Sequence, residues 1–196
     1  MIKEIALYIS NWFYKKGMLV CGYSFEVYRY GFELLVSTLV NVFVLIIIGI
    51  VTNSELQAVM YCIGFVVLRM FAGGYHATTH LRCILIFNSS FLIVVIFDKA
   101  LGITDIEILL IGLALVALTI VIRISPMGVG NKVTPELLKI KNRKISITIN
   151  IFNLFLAIIL CFGIFNNIKL VDIAYYFMGN YAASMFLIIA RIMNNV

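Results

Sequence analysis

Six long apolar runs separated by short polar connections dominate this chain, covering about residues 32–51, 56–71, 82–97, 106–122, 146–165 and 171–190. A helix needs on the order of 20 apolar residues to cross a hydrocarbon core of about 30 Å. Lipid offers no partner for an open backbone, so runs of this kind fold as helices. The expected fold is an all-α integral membrane protein, one polytopic domain over residues 1–196 with about six transmembrane helices. The second and third runs, roughly 16 residues each, sit near the lower limit for spanning. Only 12% of residues are charged, against about a quarter in soluble domains. A soluble globular enzyme is excluded.

Ahead of the first run, residues 1–18 read as an amphipathic interfacial helix. Ile2, Ile5, Leu7, Ile9, Trp12 and Phe13 alternate with Lys3, Glu4, Ser10, Asn11, Lys15 and Lys16. Such a segment lies in the headgroup plane with its apolar face down. It carries no small-residue cleavage site after an apolar core, so it does not read as a removable signal. Gly17 and Gly22 then interrupt the chain before the polar-aromatic stretch 25–31.

An even number of spans puts both termini on one side. Thirteen of the fifteen Lys and Arg residues fall on that side, and only Lys99 and Lys169 on the other. The positive-inside rule makes the basic side cytoplasmic. The long connection 123–144 holds six basic residues, Lys132 among them, against Glu136 alone. It is a docking surface for an anionic partner or a contact with anionic lipid. No nucleotide-binding fingerprint and no nucleic-acid partner is indicated.

Chemistry concentrates in residues 69–83: Arg69, Gly73, Gly74, both histidines of the chain (His76 and His80), Arg82 and Cys83. Polar groups near hydrocarbon are costly and are usually functional. The four cysteines, Cys21, Cys62, Cys83 and Cys161, show no CxxC spacing, so free thiols are expected rather than a disulfide framework. An imidazole base and a positive field turn a thiol into a nucleophile. His76 can be the base of Cys83, with Arg82 and a helix N-terminus supplying the field. On one straight helix the two would stand about 10.5 Å apart along the axis, too far for a hydrogen bond. The pairing therefore requires a turn at His76, with Gly73-Gly74 ending one helix and Thr78 or Thr79 capping the next. Glu33, at the cytoplasmic end of the first span, is the carboxylate placed to orient His76, with Asn88 as an outside option. His76, His80 and Cys83 could instead ligate a metal in a metal- or solute-handling transporter. Two interfacial histidines and a buried structural cysteine are a third account. The residues alone leave all three open.

The run Arg69…Gly73-Gly74-Tyr75-His76-(six residues)-Cys83 resembles the core of the accessory gene regulator B family of membrane endopeptidases. So do Tyr30-Gly31-Phe32-Glu33, Ser125-Pro126 and Asn131-Lys132. The resemblance covers essentially the whole chain. It implies a membrane-embedded cysteine peptidase of quorum sensing, in which Cys83 attacks and His76 serves as base without metal or cofactor. The substrate implied is an AgrD-like propeptide with an amphipathic leader and an acidic tail. Cleavage before the tail yields a thioester, then a thiolactone or lactone peptide. Arg69, Gly73, Gly74, Arg82 and Lys132 are the expected substrate-binding residues, and a homodimer in the cell membrane the expected assembly.

Overall fold

The computed structural model describes residues 2–18, 24–73, 80–101, 106–127, 136–162 and 170–194, apart from the side chains of 80, 101, 193 and 194. These residues form seven helices: α1 (Ile2–Lys15), α2 (Phe25–Val51), α3 (Glu55–Ala72), α4 (His80–Leu101), α5 (Ile106–Ile124), α6 (Glu136–Cys161) and α7 (Leu170–Asn194). Six of them, α2 to α7, are long and apolar enough to cross a membrane. An all-α membrane architecture is what the apolar runs predict. Helix boundaries differ from the apolar runs where polar sequence continues a helix. The stretch 25–31 is the first part of α2, and α6 begins at Glu136, ten residues before its apolar run. Leu137, Leu138, Lys139, Lys141, Arg143 and Lys144 are good helix formers, so half of the connection read as a basic loop is helical. Hydrophobicity marks the part of a helix that lipid contacts, not where its hydrogen bonds end.

α1 packs along α2. Its buried face holds Ala6 and Ser10, both 0% exposed, and small residues there let two helices approach closely. Phe13 stacks on Phe32 at 5.1 Å and Tyr14 meets Phe25 edge-on at 5.8 Å.

α3 is the hub. Against α7 the backbones nearly touch: a Cβ on Gly64 would stand 2.0 Å from the Tyr176 carbonyl oxygen, and one on Gly179 would stand 2.1 Å from that of Tyr61. Against α4 the space is bridged by aromatic rings instead, Tyr61 on Phe91 at 5.3 Å and Phe65 on Phe87 at 4.6 Å. α5 packs between α6 and α7, and the Met127 N–H donates to the Ala72 carbonyl at 2.9 Å, tying the end of α5 to the end of α3. One end of the bundle thus gathers the start of α2, the end of α3, the start of α4, the end of α5 and the start of α6.

Candidate active site

Cys83 is the fourth residue of α4, so it lies in the first described turn, at the positive end of the helix dipole. α3 ends at Ala72, with Gly73 as its cap at φ +75° and its N–H bonded to the Arg69 carbonyl at 3.1 Å. Any side chain would be strained at that φ, and a Cβ would also stand 2.2 Å from the Met127 carbonyl oxygen. Gly73 is therefore the point where α3, the α5 terminus and the connection to α4 converge. The helix break expected at Gly73 is present. Gly74, His76, Thr78, Thr79 and Lys132 lie outside the described residues, as does the His80 side chain.

The partner of Cys83 follows from register. α3 and α4 run antiparallel, with Tyr61 facing Phe91 and Phe65 facing Phe87. One further turn on each helix sets Arg69 opposite Cys83. Consistent with that register, the guanidinium and the thiol interact electrostatically. The guanidinium also lies over two ring faces, Phe65 at 5.4 Å and Phe186 of α7 at 6.0 Å. Those rings meet edge to face at 5.4 Å. Cys83 is half-buried, while Arg82 beside it is exposed. Cys62 and Cys161 are, like Cys83, free thiols.

α2 supplies the third wall. The Asn88 side chain on α4 donates to the Asn41 side chain at 2.7 Å and to its own Ile84 carbonyl at 2.8 Å. That engagement draws Asn88 toward α2, one and a half turns beyond Cys83. It also fixes a register between two helices that run the same way. Glu33 lies eight residues before Asn41 and Cys83 five before Asn88, which sets Glu33 about 4–5 Å beyond the thiol along the axis. Glu33 is half-buried and, on these registers, level with the end of α3 at Ala72. Val36 and Ser37, both buried, come level with Cys83 itself.

Of the residues singled out from the sequence, the fold therefore assembles Arg69, Gly73, Arg82 and Cys83 at one end of the bundle, with Glu33 a turn away. It adds Phe65, Phe186, Ser37 and Met127, which sequence reading missed. Ser37 had a local signal, a hydroxyl one turn past Glu33 in an apolar run. Phe65 stood one turn before Arg69. Phe186 had none, being more than a hundred residues away in a run rich in apolar residues.

Charge divides along the bundle axis. Among the described residues, Arg69, Arg82, Arg123, Lys139, Lys141, Arg143, Lys144 and Arg191 gather toward the site, while Lys99 lies at the far end and donates to the Thr52 carbonyl. Acidic groups occupy that far end: Asp98 accepts from Tyr175 at 2.7 Å and Asp172 from Gln57 at 2.6 Å.

No curated protein and no solved structure matches the chain. The family model for accessory gene regulator B matches residues 5–192, nearly the full length and every element of the site. The chain belongs to the accessory gene regulator B family, whose members act in the processing of quorum-sensing peptides.

Proposed function

We propose that this protein is a cysteine endopeptidase that removes the acidic tail of a small quorum-sensing propeptide at the cytoplasmic membrane face. The observation that carries the reading is Cys83 in the first turn of α4 with the Arg69 charge opposite it. A thiolate is favoured by both a helix N-terminus and a facing cation. His76, seven residues before Cys83, supplies the base, and Glu33, level with the end of α3, orients the imidazole.

The chemistry follows from these roles. His76 takes the thiol proton and the Cys83 Sγ adds to the carbonyl carbon before the tail. The C–N bond breaks, and the tail's new amine leaves with the proton from His76. The thioester keeps the acyl group activated. A cysteine thiol or serine hydroxyl of the same peptide then attacks it, closing a thiolactone or lactone and returning Cys83 as thiolate. Free N–H groups of the first α4 turn are the natural donors to the oxyanion. The basic start of α6 attracts an acidic tail, and a leader held in the membrane raises the local substrate concentration.

The test is cleavage of a co-expressed cognate propeptide. Cys83→Ala and Cys83→Ser should each lower cleavage at least about 10³-fold, and His76→Ala about 10²–10⁴-fold, with no effect of a chelator on the wild type. Undiminished cleavage by Cys83→Ala would overturn the assignment, and chelator-sensitive activity would transfer the site to a metal.

A further inference from the structure

Among the described residues, four buried side-chain atoms have no hydrogen-bond partner in the protein, and three of the four lie on two facing helices. They are Asn150 Oδ1 and Asn153 Nδ2 of α6, and Asn180 Nδ2 of α7. The three residues are 0%, 1% and 2% exposed. α6 packs on α3 and on α5, and α7 packs on the same two helices, so the four close a ring with α6 and α7 across from each other. The Tyr176 hydroxyl crosses that ring and donates to Asn153 Oδ1 at 2.9 Å. α6 and α7 run in opposite directions, so Asn180, one turn after Tyr176, comes to about the level of Asn150, three residues before Asn153. The bonds already made decide which atoms are left over. Asn150 Nδ2 donates to the Ser146 carbonyl at 2.9 Å, which leaves its Oδ1. Asn153 Oδ1 serves Tyr176, which leaves its Nδ2. The Ser125–Ser146 hydroxyl pair at 2.8 Å sets the register of α5 on α6 and brings the buried Ala117 level with Asn153. At that height α5 offers only a methyl group.

We propose that these three amides form a binding site for an ordered water within the membrane span, which accepts from Asn153 Nδ2 and Asn180 Nδ2 and donates to Asn150 Oδ1. A buried polar atom left unpaired is costly, and an interior water typically makes about three hydrogen bonds to such atoms. The mixture of needs selects the ligand. A cation cannot accept from the two N–H groups, and an anion cannot donate to the amide oxygen. Water does both from one small, neutral molecule. A hydroxyl of a peptide would match chemically, but residues this deeply buried leave no route for a chain. The bridge joins α6 to α7 across the ring, alongside the Tyr176–Asn153 bond, at a level where the two helices meet through side chains. It involves neither Cys83 nor the charged end of the bundle, so it stands independently of the peptidase reading.

The measurement is proton-detected solid-state NMR of the full chain in lipid bilayers, with isotope-labelled asparagine, reading magnetisation passed from water to the side-chain amides. Each amide is assigned through its own backbone correlations. Asn142, half-buried near the start of α6, is the positive control. Transfer should reach the Asn153 and Asn180 amides as well as Asn142, despite their burial. In Asn150→Leu, which removes the acceptor, transfer to Asn153 and Asn180 should fall together while Asn142 keeps its signal. Loss of transfer to Asn153 in Asn180→Leu would add that the two share one molecule. If neither variant folds, the wild-type spectrum still decides between a held water and amides satisfied directly by protein groups. No transfer to Asn153 and Asn180 beside a clear Asn142 signal would overturn the proposal. So would transfer confined to one of the two amides, or transfer unchanged in Asn150→Leu. Propeptide cleavage is not the readout, so failure here leaves the cysteine-peptidase reading where it stands.

Discussion

At the residue scale, the site depends on a glycine as much as on a thiol. Gly73 combines a left-handed φ of +75° with a carbonyl 2.2 Å from where a Cβ would stand. Neither demand can be met by another residue without moving the α5 terminus or the chain toward His76. Gly73→Ala is expected to cost about 1–3 kcal/mol and to lose cleavage more severely than stability. Thermal unfolding in detergent beside propeptide cleavage checks this, and wild-type values for both would refute the junction's role. The helix break at Gly73 was readable from the chain because it needs only a local rule, a helix that must stop, and Cys83 and His76 stood out there by their rarity in an apolar sequence. Arg69 stood out in the sequence, but its position did not. Its place opposite Cys83 depends on the aromatic register of α3 and α4, and its second ring contact on Phe186, which adjacent sequence does not encode.

At the element scale, α3 is held to α7 by an absence of side chains and to α4 by aromatic bridges, while α2 is tied to α4 by a polar one. Gly64→Ala and Gly179→Ala each put a methyl into a facing carbonyl, and each should destabilise by about 1–3 kcal/mol through forced separation. Because one separation relieves both clashes, the double variant should cost less than the sum of the two singles. Strict additivity in a detergent melting assay would mean that the two contacts yield independently. A different balance holds the pair Asn41–Asn88. Asn41→Leu leaves the Asn88 amide short of a partner in an apolar setting, whereas changing both to Leu removes the polar groups together. The double variant should therefore be more stable than Asn41→Leu alone. The six spans were legible because lipid-facing composition is a property of each helix by itself. Helix ends were not: α2 and α6 continue through polar sequence that hydropathy cannot separate from loop, and both extensions lie at the end that carries the site.

At the scale of the whole molecule, helix packing and charge tell the same story from independent sides. The order of contacts requires successive helices to alternate direction, which brings α3, α4, α5 and α6 together at the site through their C- and N-termini in turn. Basic residues collect at that end, and among the described residues Lys99 alone sits at the other. Translocating a loop rich in Lys and Arg is disfavoured, so the side expected for this end is the cytoplasm. The prediction concerns two single cysteines introduced into a variant with all four native ones changed to Ser. Lys99→Cys should react with a membrane-impermeant maleimide added to intact cells, and Lys139→Cys should react only after permeabilisation. The reverse pattern would invert the protein and set Cys83 at the outer face, away from any cytoplasmic substrate. Labelling of both positions in intact cells would contradict the division of charge across the membrane. Labelling of Lys99→Cys alone would join the basic end, the start of α4 and the cysteine site to the compartment in which the propeptide is made.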